Sequence, residues 1–531
     1  MTSASAAASS PLANAGTAPR QAGLVLTALI LAAGVANMNL SVANVTLPDV
    51  AKQFDASQIG LNLVAVGFSL GLSISVLYLG AIGDRYGRKF LLLLGLALSI
   101  PTAIMSALSG DVYMLMLSRL LGGVAAGMAY PTTLALITAL WSGHQRTKAI
   151  ALWSALGAAL SALSPMTAGF LMQFLPWGYS YLIAIPFAVI AILIVWILVP
   201  AHVNESTEKV DHLGGILSVF FIGALVISIN FIAMEGQLEV ALISLGISAV
   251  AGILFFWRQK RAESPLFDLR YAKRPTFWVA AVGGIIVFGS LMAAMYVGMQ
   301  FLQEVLGYSA LMAGLAILPC PIFMVIIAPF SGGMVLKWGS RNTLLLGFAI
   351  SALGFLAMLL LWNLGSSYVV VGLAYALVGI GVGIAGTPAS HALTDSVPVE
   401  KVGMASGTGD LQRDLGGSIM QSLLGAILSA GYSAAVLSAI ADAPANVKSQ
   451  ITQNVQNMLV KSFASAEDLA AKYPQYQQQI IHAAEQSFLQ GANWAYLAGI
   501  ISMIIGAALV FIFFPKKSKE RALYVEWGTE Q

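Results

Sequence analysis

The chain has 531 residues, of which 58% are hydrophobic and only 9% charged, against about 45–50% and 25% in an ordinary soluble domain. Together with a mean hydropathy of +0.84, this excludes a water-soluble globular protein: the solvent for most of the chain is lipid, where every backbone polar group must pair internally and helices are the economical answer. The net charge of +3 becomes informative only when resolved by position.

Residues 1–20, rich in Ala, Ser and Pro with one charge at Arg20, precede the first apolar run, whereas a signal-peptide cleavage region would follow it. They are read as a disordered cytoplasmic tail before an uncleaved span. A spanning helix needs about 20 mostly apolar residues. Such runs occur at Gln21–Leu47, Ser57–Ile82, Phe90–Leu108, Val112–Leu140, Lys148–Phe174 and Gly178–Val199. They continue at Leu213–Ala233, Leu238–Trp257, Thr276–Gln303, Ser309–Leu336, Asn342–Trp362, Tyr368–Leu393, Val402–Gly431 and Gly491–Phe514, fourteen spans in all. The count excludes an enzyme on a single anchor. The sole cysteine, Cys320, lies in an apolar run, so there is no intrachain disulfide and no compartment signal from cysteine.

Lysine and arginine concentrate in the turns after even-numbered spans, as in Arg85, Arg88, Lys89, Arg146, Lys337 and Arg341, and again in the C-terminal segment 515–531. Because cytoplasmic flanks carry the positive excess, both termini are expected to be cytoplasmic. Only Arg119 and Arg413 fall inside spans. The long polar stretch 432–486 lies on the opposite side. Its apolar residues keep helical spacing, as in Ile451, Val455 and Leu459, suggesting one or two amphipathic helices over spans 13 and 14.

The chain repeats itself. GAIGDRYGRKFLLLLG at Gly80–Gly95 aligns without a gap on GGMVLKWGSRNTLLLG at Gly332–Gly347, keeping the end glycines, the aromatic-Gly pair, basic positions and the Leu run. The expected plan is a six-helix bundle over 21–200, an inserted helix pair and linker over 201–274, and a second six-helix bundle over 275–514 that includes the long loop. Two parallel repeats around a central cavity are a known transporter plan.

At Gly80–Lys89, GAIGDRYGRK, the sequence resembles the major facilitator superfamily, specifically its fourteen-helix drug:proton antiporter branch. SVANVTLPDV after span 1, SRLLGGVAAGMAYPTTLALI in span 4, LPWGYSYLIAIP entering span 6, DHLGG opening span 7, ESPLFDLR before span 9, LQEVLGYSALMAGLAILP into span 10 and GMASGTGDLQRDLGGS in span 13 extend the resemblance along nearly the whole chain. It implies an all-α integral membrane protein of the major facilitator fold. It also implies a latch built from Gly80, Asp84, Arg85, Gly87 and Arg88, in which Asp84 sits at the N-terminus of span 13 and pairs with Arg88. Leu336 and Ser340 replace Asp84 and Arg88 in the second copy, so the latch is expected on one side only.

No GxxxxGK[ST] phosphate loop occurs, so transport is expected to be passive or driven by an ion gradient, without a cofactor, a metal or enzymatic chemistry. Ionisable groups at membrane depth are functional candidates by default. The branch's acidic residue in span 1 is Asn39 here, while the span 4 arginine is present as Arg119; both are read as lining a substrate cavity, the alternative being that Arg119 bonds span 1 carbonyls. In span 13, Asp410, Arg413 and Asp414 stand at i, i+3 and i+4, on one side of a helix. One arginine can neutralise only one of the two carboxylates, which makes Asp414 or Asp410 the leading proton site, against a purely structural network. Pro165 and Gly169 in span 5 correspond to the branch's antiporter kink, with a weakened match. Tyr296 and Gln300, with the Met292–Met299 run, Phe301, Tyr375 and Trp153, are candidates for a greasy pocket or for packing. His391 is either a proton relay or a hydrogen-bonded histidine.

The expected function is proton-coupled export of amphiphilic, drug-like compounds from a bacterial inner membrane. Export of an endogenous metabolite or lipid-like anion is the first alternative, and a non-transporting receptor or scaffold the second. Expected partners are the bilayer, a small amphiphilic substrate and protons. No nucleic acid is expected; the long loop is read as a membrane-surface hairpin, the alternatives being a gate at the outer mouth or a contact for a partner such as a periplasmic adaptor.

Overall fold

Lipid offers the backbone no hydrogen-bond partners, and the chain answers with helices almost throughout. The computed structural model describes residues 19, 21–56, 58–201, 209–232, 234, 236–442 and 451–528. The expected tail 1–20, apart from Pro19, lies outside the described residues.

The first six long helices are α1 Ala22–Phe54, α2 Gln58–Tyr86, α3 Arg88–Ala107, α4 Val112–Leu140, α5 Gly143–Leu171 and α6 Ile185–Leu198, the last preceded by a 3-10 segment Trp177–Ala184. α4 occupies the span expected for it; α6 starts later than its apolar run because Pro186 sets the first turn. Then come α7 His212–Ile232 and α8 Leu238–Arg261, followed by α9 Pro275–Gln300 with a π turn Phe301–Val305. A short helix Ala310–Ile317 breaks at Pro319, which begins α10 Pro319–Trp338; α11 Ser340–Leu361, α12 Tyr368–Asp395 and α13 Val402–Asp442 follow. Two short helices, α14 Gln453–Lys461 and α15 Phe463–Lys472, lead to α16 Gln477–Phe513 and the terminal α17 Lys517–Glu526. Among the described residues, 13 helices are long and apolar enough to cross a membrane. α5 is a further long helix, richer in small and polar residues, packed against α1, α10 and α12.

α1 to α6 pack on one another as one bundle and α9 to α13 with α16 as another, while α7 and α8 pair and α7 lies against α2. Asp211 joins that pair by accepting from Gly214 N at 3.1 Å in α7 and from Arg258 Nε at 3.1 Å and Gln259 Nε2 at 3.2 Å in α8. The bundles meet where α2 and α4 touch α13, and where α5 touches α10 and α12. The end carrying Arg85, Arg88, Arg146 and Lys337 is the basic end.

The sequence repeat becomes a repeat of contacts. A Cβ at Gly80 would meet Gly403 O at 3.1 Å, so α2 approaches α13 of the other bundle; a Cβ at Gly332 would meet Thr147 Cγ2 at 3.5 Å, so α10 approaches α5. Within each bundle the closing glycines do the same work: a Cβ at Gly95 would meet Ala125 O at 2.6 Å, and one at Gly347 would meet Gly381 O at 2.8 Å. Small residues are how helices associate closely in lipid, where no hydrophobic force drives them together. The turn glycines Gly87 and Gly339 have φ of 117° and 83°, a region that favours glycine.

α13 and α16 have 41 and 37 residues, well beyond the roughly 20 a bilayer requires. Both continue past the expected ends of spans 13 and 14 because apolar residues keep a helical spacing there: Tyr432, Ala435, Val436, Ala484 and Phe488 are buried under α14 and α15. Ser433 Oγ donates to Val460 O at 2.9 Å, tying α14 to α13.

Leucine at Gly95 or Gly347 would overpack these contacts and should cost at least about 1–3 kcal/mol, read as a lower unfolding temperature of the purified protein. Gly333→Ala, where a Cβ meets nothing within 4 Å, should instead stabilise by up to about 1 kcal/mol through helix propensity. Equal effects at the three positions would overturn this account of helix packing.

Candidate functional site

A cavity of about 250 Å³ opens between the two bundles. α1 contributes Asn37 and Leu40, α2 contributes Ser69 and Leu72, α4 Tyr130, α7 Asn230, α9 Phe288 and Met292, and α13 Asp410, Arg413, Asp414 and Gln421. The helical spacing of the three charges brings all of them to this wall, but their partners differ. Asp414 accepts from Ser69 Oγ of α2 at 2.5 Å, a hydrogen bond that crosses between bundles, and its Oδ2 has no hydrogen-bond partner among the described residues. Asp410 is buried, and its nearest cation is Arg413, with Nη1 at 3.6 Å. Arg413 itself donates to Gly409 O at 2.9 Å and to Ser390 Oγ at 3.0 Å. Its guanidinium lies over the Trp153 and Phe288 rings, at 4.8 and 4.5 Å from their centroids. Arg413 therefore binds one carboxylate loosely and leaves the other to a serine.

Several sequence-stated positions fall elsewhere. Arg119 and Asn39 do not line this cavity. Arg119 is buried inside the first bundle, donating to Asn39 O, to Leu40 O at 3.2 Å and to Val64 O at 3.4 Å, beneath the Phe68 and Tyr181 rings. Asn39 turns its own amide back to Val35 O at 2.9 Å. In this way α4 is fastened to α1 and α2 through carbonyls, because a buried guanidinium must find acceptors. Tyr296 and Gln300 are also absent from the cavity wall; Tyr296 is exposed beside Gly425, where an added Cβ would meet its Cε1 at 3.1 Å. Phe301 stacks on Trp362 at 4.8 Å and Tyr375 lies tilted against it at 5.5 Å, in the second bundle's core. The wall aromatics are instead Tyr130 and Phe288, which the apolar pattern of α4 and α9 did not distinguish from core. Pro165 lies inside α5, and Gly169 faces Val45, whose Cγ1 would be 3.8 Å from an added Cβ. Ser164 Oγ donates to Met38 O at 2.8 Å and binds that stretch of α5 to α1.

At the basic end, Asp84 and Arg88 form a buried ion pair, Arg88 Nη2 to Asp84 Oδ1 at 2.8 Å. The other oxygen, Oδ2, accepts from Gly403 N at 2.8 Å, so a carboxylate of the first bundle satisfies an N–H in the first turn of α13, where the helix dipole favours an anion. Arg88 Nη2 also donates to Val399 O at 2.8 Å, immediately before that helix. Gly80 and Gly403 permit the approach: a Cβ on Gly403 would strike the Asp84 carboxylate. Gly87 makes the turn, and Arg85 stands beside it, partly buried.

A second cross-bundle cluster was not read from the sequence. Arg146 at the start of α5 pairs with Asp395 of α12, and His391 Nδ1 lies 2.8 Å from Asp395 Oδ2. Thr147 Oγ1 hydrogen-bonds His391 Nε2 at 2.9 Å, which places His391 in a bonded cluster. The signal available was the i, i+4 spacing of His391 and Asp395 near the end of an apolar span, the same spacing as Asp84 and Arg88. Nearby, Glu520 of α17 accepts from Ser340 N at 3.2 Å, the first residue of α11. Burial pushes the Glu520 carboxyl above its ordinary range, partly offset by hydrogen bonding from Ser340.

A family model described as the Major Facilitator Superfamily matches residues 29–421. The multidrug resistance protein Stp of Mycobacterium tuberculosis is 29% identical over 380 residues, 71% of this chain and 70% of that protein. The multidrug efflux pump LfrA of Mycolicibacterium smegmatis is 28% identical over 502 residues, 93% of this chain and 97% of that one. Among solved structures, the human organic anion transporter MFSD10 has a TM-score of 0.57 at 15% identity, covering 92% of this chain and 100% of its own. The proton:xylose symporter XylE has a TM-score of 0.56 at 14% identity, with 94% and 98% covered; at these identities both speak to the fold alone. With the model spanning most of the chain and the fold matching end to end, this membrane protein belongs to the major facilitator superfamily.

Proposed function

We propose that the chain is a proton-coupled exporter of amphiphilic, preferentially cationic compounds, working by alternating access in a bacterial inner membrane with both termini cytoplasmic. The observation that carries this reading is Asp414: an acidic side chain in the cavity between the bundles, held to the opposite bundle by one serine and otherwise without a hydrogen-bond partner among the described residues. The names of the similar proteins Stp and LfrA support the substrate class.

Proton and substrate compete for that carboxylate. Ionised, Asp414 accepts a strong charge-assisted bond from Ser69 and attracts a cation into a cavity whose Phe288, Leu291 and Met292 supply apolar contact. Protonated, it loses the charge that holds both, which favours cation release and loosens α13 from α2. The lining holds two carboxylates and one guanidinium, Asp410, Asp414 and Arg413, a balance that favours cations over anions; Arg119, the basis of the anion alternative, is engaged by carbonyls away from the cavity. The Asp84–Gly403 and Arg146–Asp395 contacts hold the basic, cytoplasmic end closed, and alternating access requires both to open.

In reconstituted inside-out vesicles, an inward-acid gradient should drive accumulation of a cationic dye, and Asp414→Asn should abolish this accumulation. Dye uptake unchanged in Asp414→Asn and in Asp410→Asn would reject span 13 as the coupling site.

For the closed end, Asp84→Asn removes the charge that caps α13. A negative charge at a helix N-terminus is worth up to about 1 kcal/mol, or up to roughly a fivefold shift in population. Spin labels at Tyr86→Cys and Trp338→Cys, exposed at the basic ends of α2 and α10, in a Cys320→Ala background, should report a larger share of long distances. An unchanged distance distribution would remove Asp84 from the closing device.

A further inference from the structure

At the end opposite the basic one, a second cavity of about 520 Å³ lies wholly outside the central site. Its size falls in the range of small-molecule sites, about 300–1,000 Å³. The two projecting helix ends, α13 and α16, form its floor and α14 and α15 its sides. Tyr432, Val436 and Ala484 are buried at the floor and Leu469 at a side, while Tyr473 and Gln479 stand exposed at the mouth.

Two features point to an occupant. Among the described residues that line the cavity none is charged, which disfavours an ion in a space this apolar. The rim carries uncharged amide and phenol groups, Gln475, Gln479 and Tyr473, above the aliphatic interior. The gradient from apolar floor to neutral polar mouth matches a molecule of the same construction.

We propose that this cavity is a second ligand site, taking the aliphatic part of an uncharged amphiphile whose hydroxyl or carbonyl group lies at the Gln475 and Gln479 rim. The site stands on α13 in line with the central cavity: from Gln421, which lines the first, to Tyr432, which lines the second, the helix rises about 16 Å. Its chemistry does not depend on whether the central site moves protons. A fatty alcohol or ester and the acyl chain of a bilayer lipid share this chemistry, and the test separates them.

The full chain is placed in phosphatidylcholine nanodiscs with either a diazirine analogue of dodecanol or a phosphatidylcholine carrying the diazirine on its acyl chain, and adducts are mapped by peptide. Adducts of the alcohol on residues 451–459 and 473–487, competed by unlabelled dodecanol, are expected. They should fall about tenfold, the scale of overpacking a filled space, in Val455→Trp and, separately, in Ile480→Trp. Adducts there from the phosphatidylcholine probe alone would also support the site and assign its occupant to bilayer lipid. Labelling by neither probe above the level at the exposed Trp196 and Ile197 surface, or alcohol labelling that neither competitor nor variants reduce, would overturn the proposal. Because the readout is an adduct and not transport, its failure is distinguishable from failure of the dye experiment.

Discussion

A helix that begins at the edge of lipid leaves its first N–H groups without partners, and for α13 one of the missing acceptors comes from the other bundle, as the Asp84 carboxylate on Gly403 N. Much else at this end is arranged around that bond. It needs glycine at Gly80 and Gly403 so that the backbones come close enough, and it needs Arg88, pulled under the helix start by Val399 O, to offset the buried negative charge. A single carboxylate thereby joins local helix chemistry to the relative position of two bundles.

The second half of the molecule meets the same requirement with different residues. Leu336 and Ser340 stand where Asp84 and Arg88 stand in the first copy, and the carboxylate at the start of α11 comes from Glu520 of the terminal helix. The cross-bundle charge is supplied by Arg146 and Asp395, with His391 and Thr147 completing the cluster. The repeat has kept its glycines, which fix helix spacing, and redistributed its charges. Backbone approach tolerates no substitute, whereas an acceptor can be delivered from any nearby segment.

Inside the spans, charge placement sorts into two kinds. Arg119 is consumed by carbonyls of α1 and α2 and acts as a fastening within one bundle. Asp414 faces the space between bundles with a single hydrogen bond, from the neutral Ser69 hydroxyl. The helix that carries Asp414 also begins at the Asp84 clasp and ends at the Tyr432 cavity, so its length links three chemically distinct stations. A rigid element of this kind transmits a change at one station to the others only as a movement of the whole helix.

Composition and periodicity alone determine that this is an all-helical membrane protein, because lipid leaves the backbone little other choice. The span of α4 was legible to the residue, and the repeat was legible because its glycines and basic residues recur without a gap. Tertiary structure decided what periodicity cannot express. Whether a polar side chain meets a carbonyl, a partner bundle or a cavity depends on helix rotation and on the neighbour across the interface, which is why Arg119 and Asn39 turn inward, Tyr296 and Gln300 fall off the cavity wall, and Tyr130 lines it. The ends of α13 and α16 likewise required the structure: helical spacing in 432–486 suggests separate amphipathic helices, and burial beneath α14 and α15 shows that its two ends continue the spanning helices.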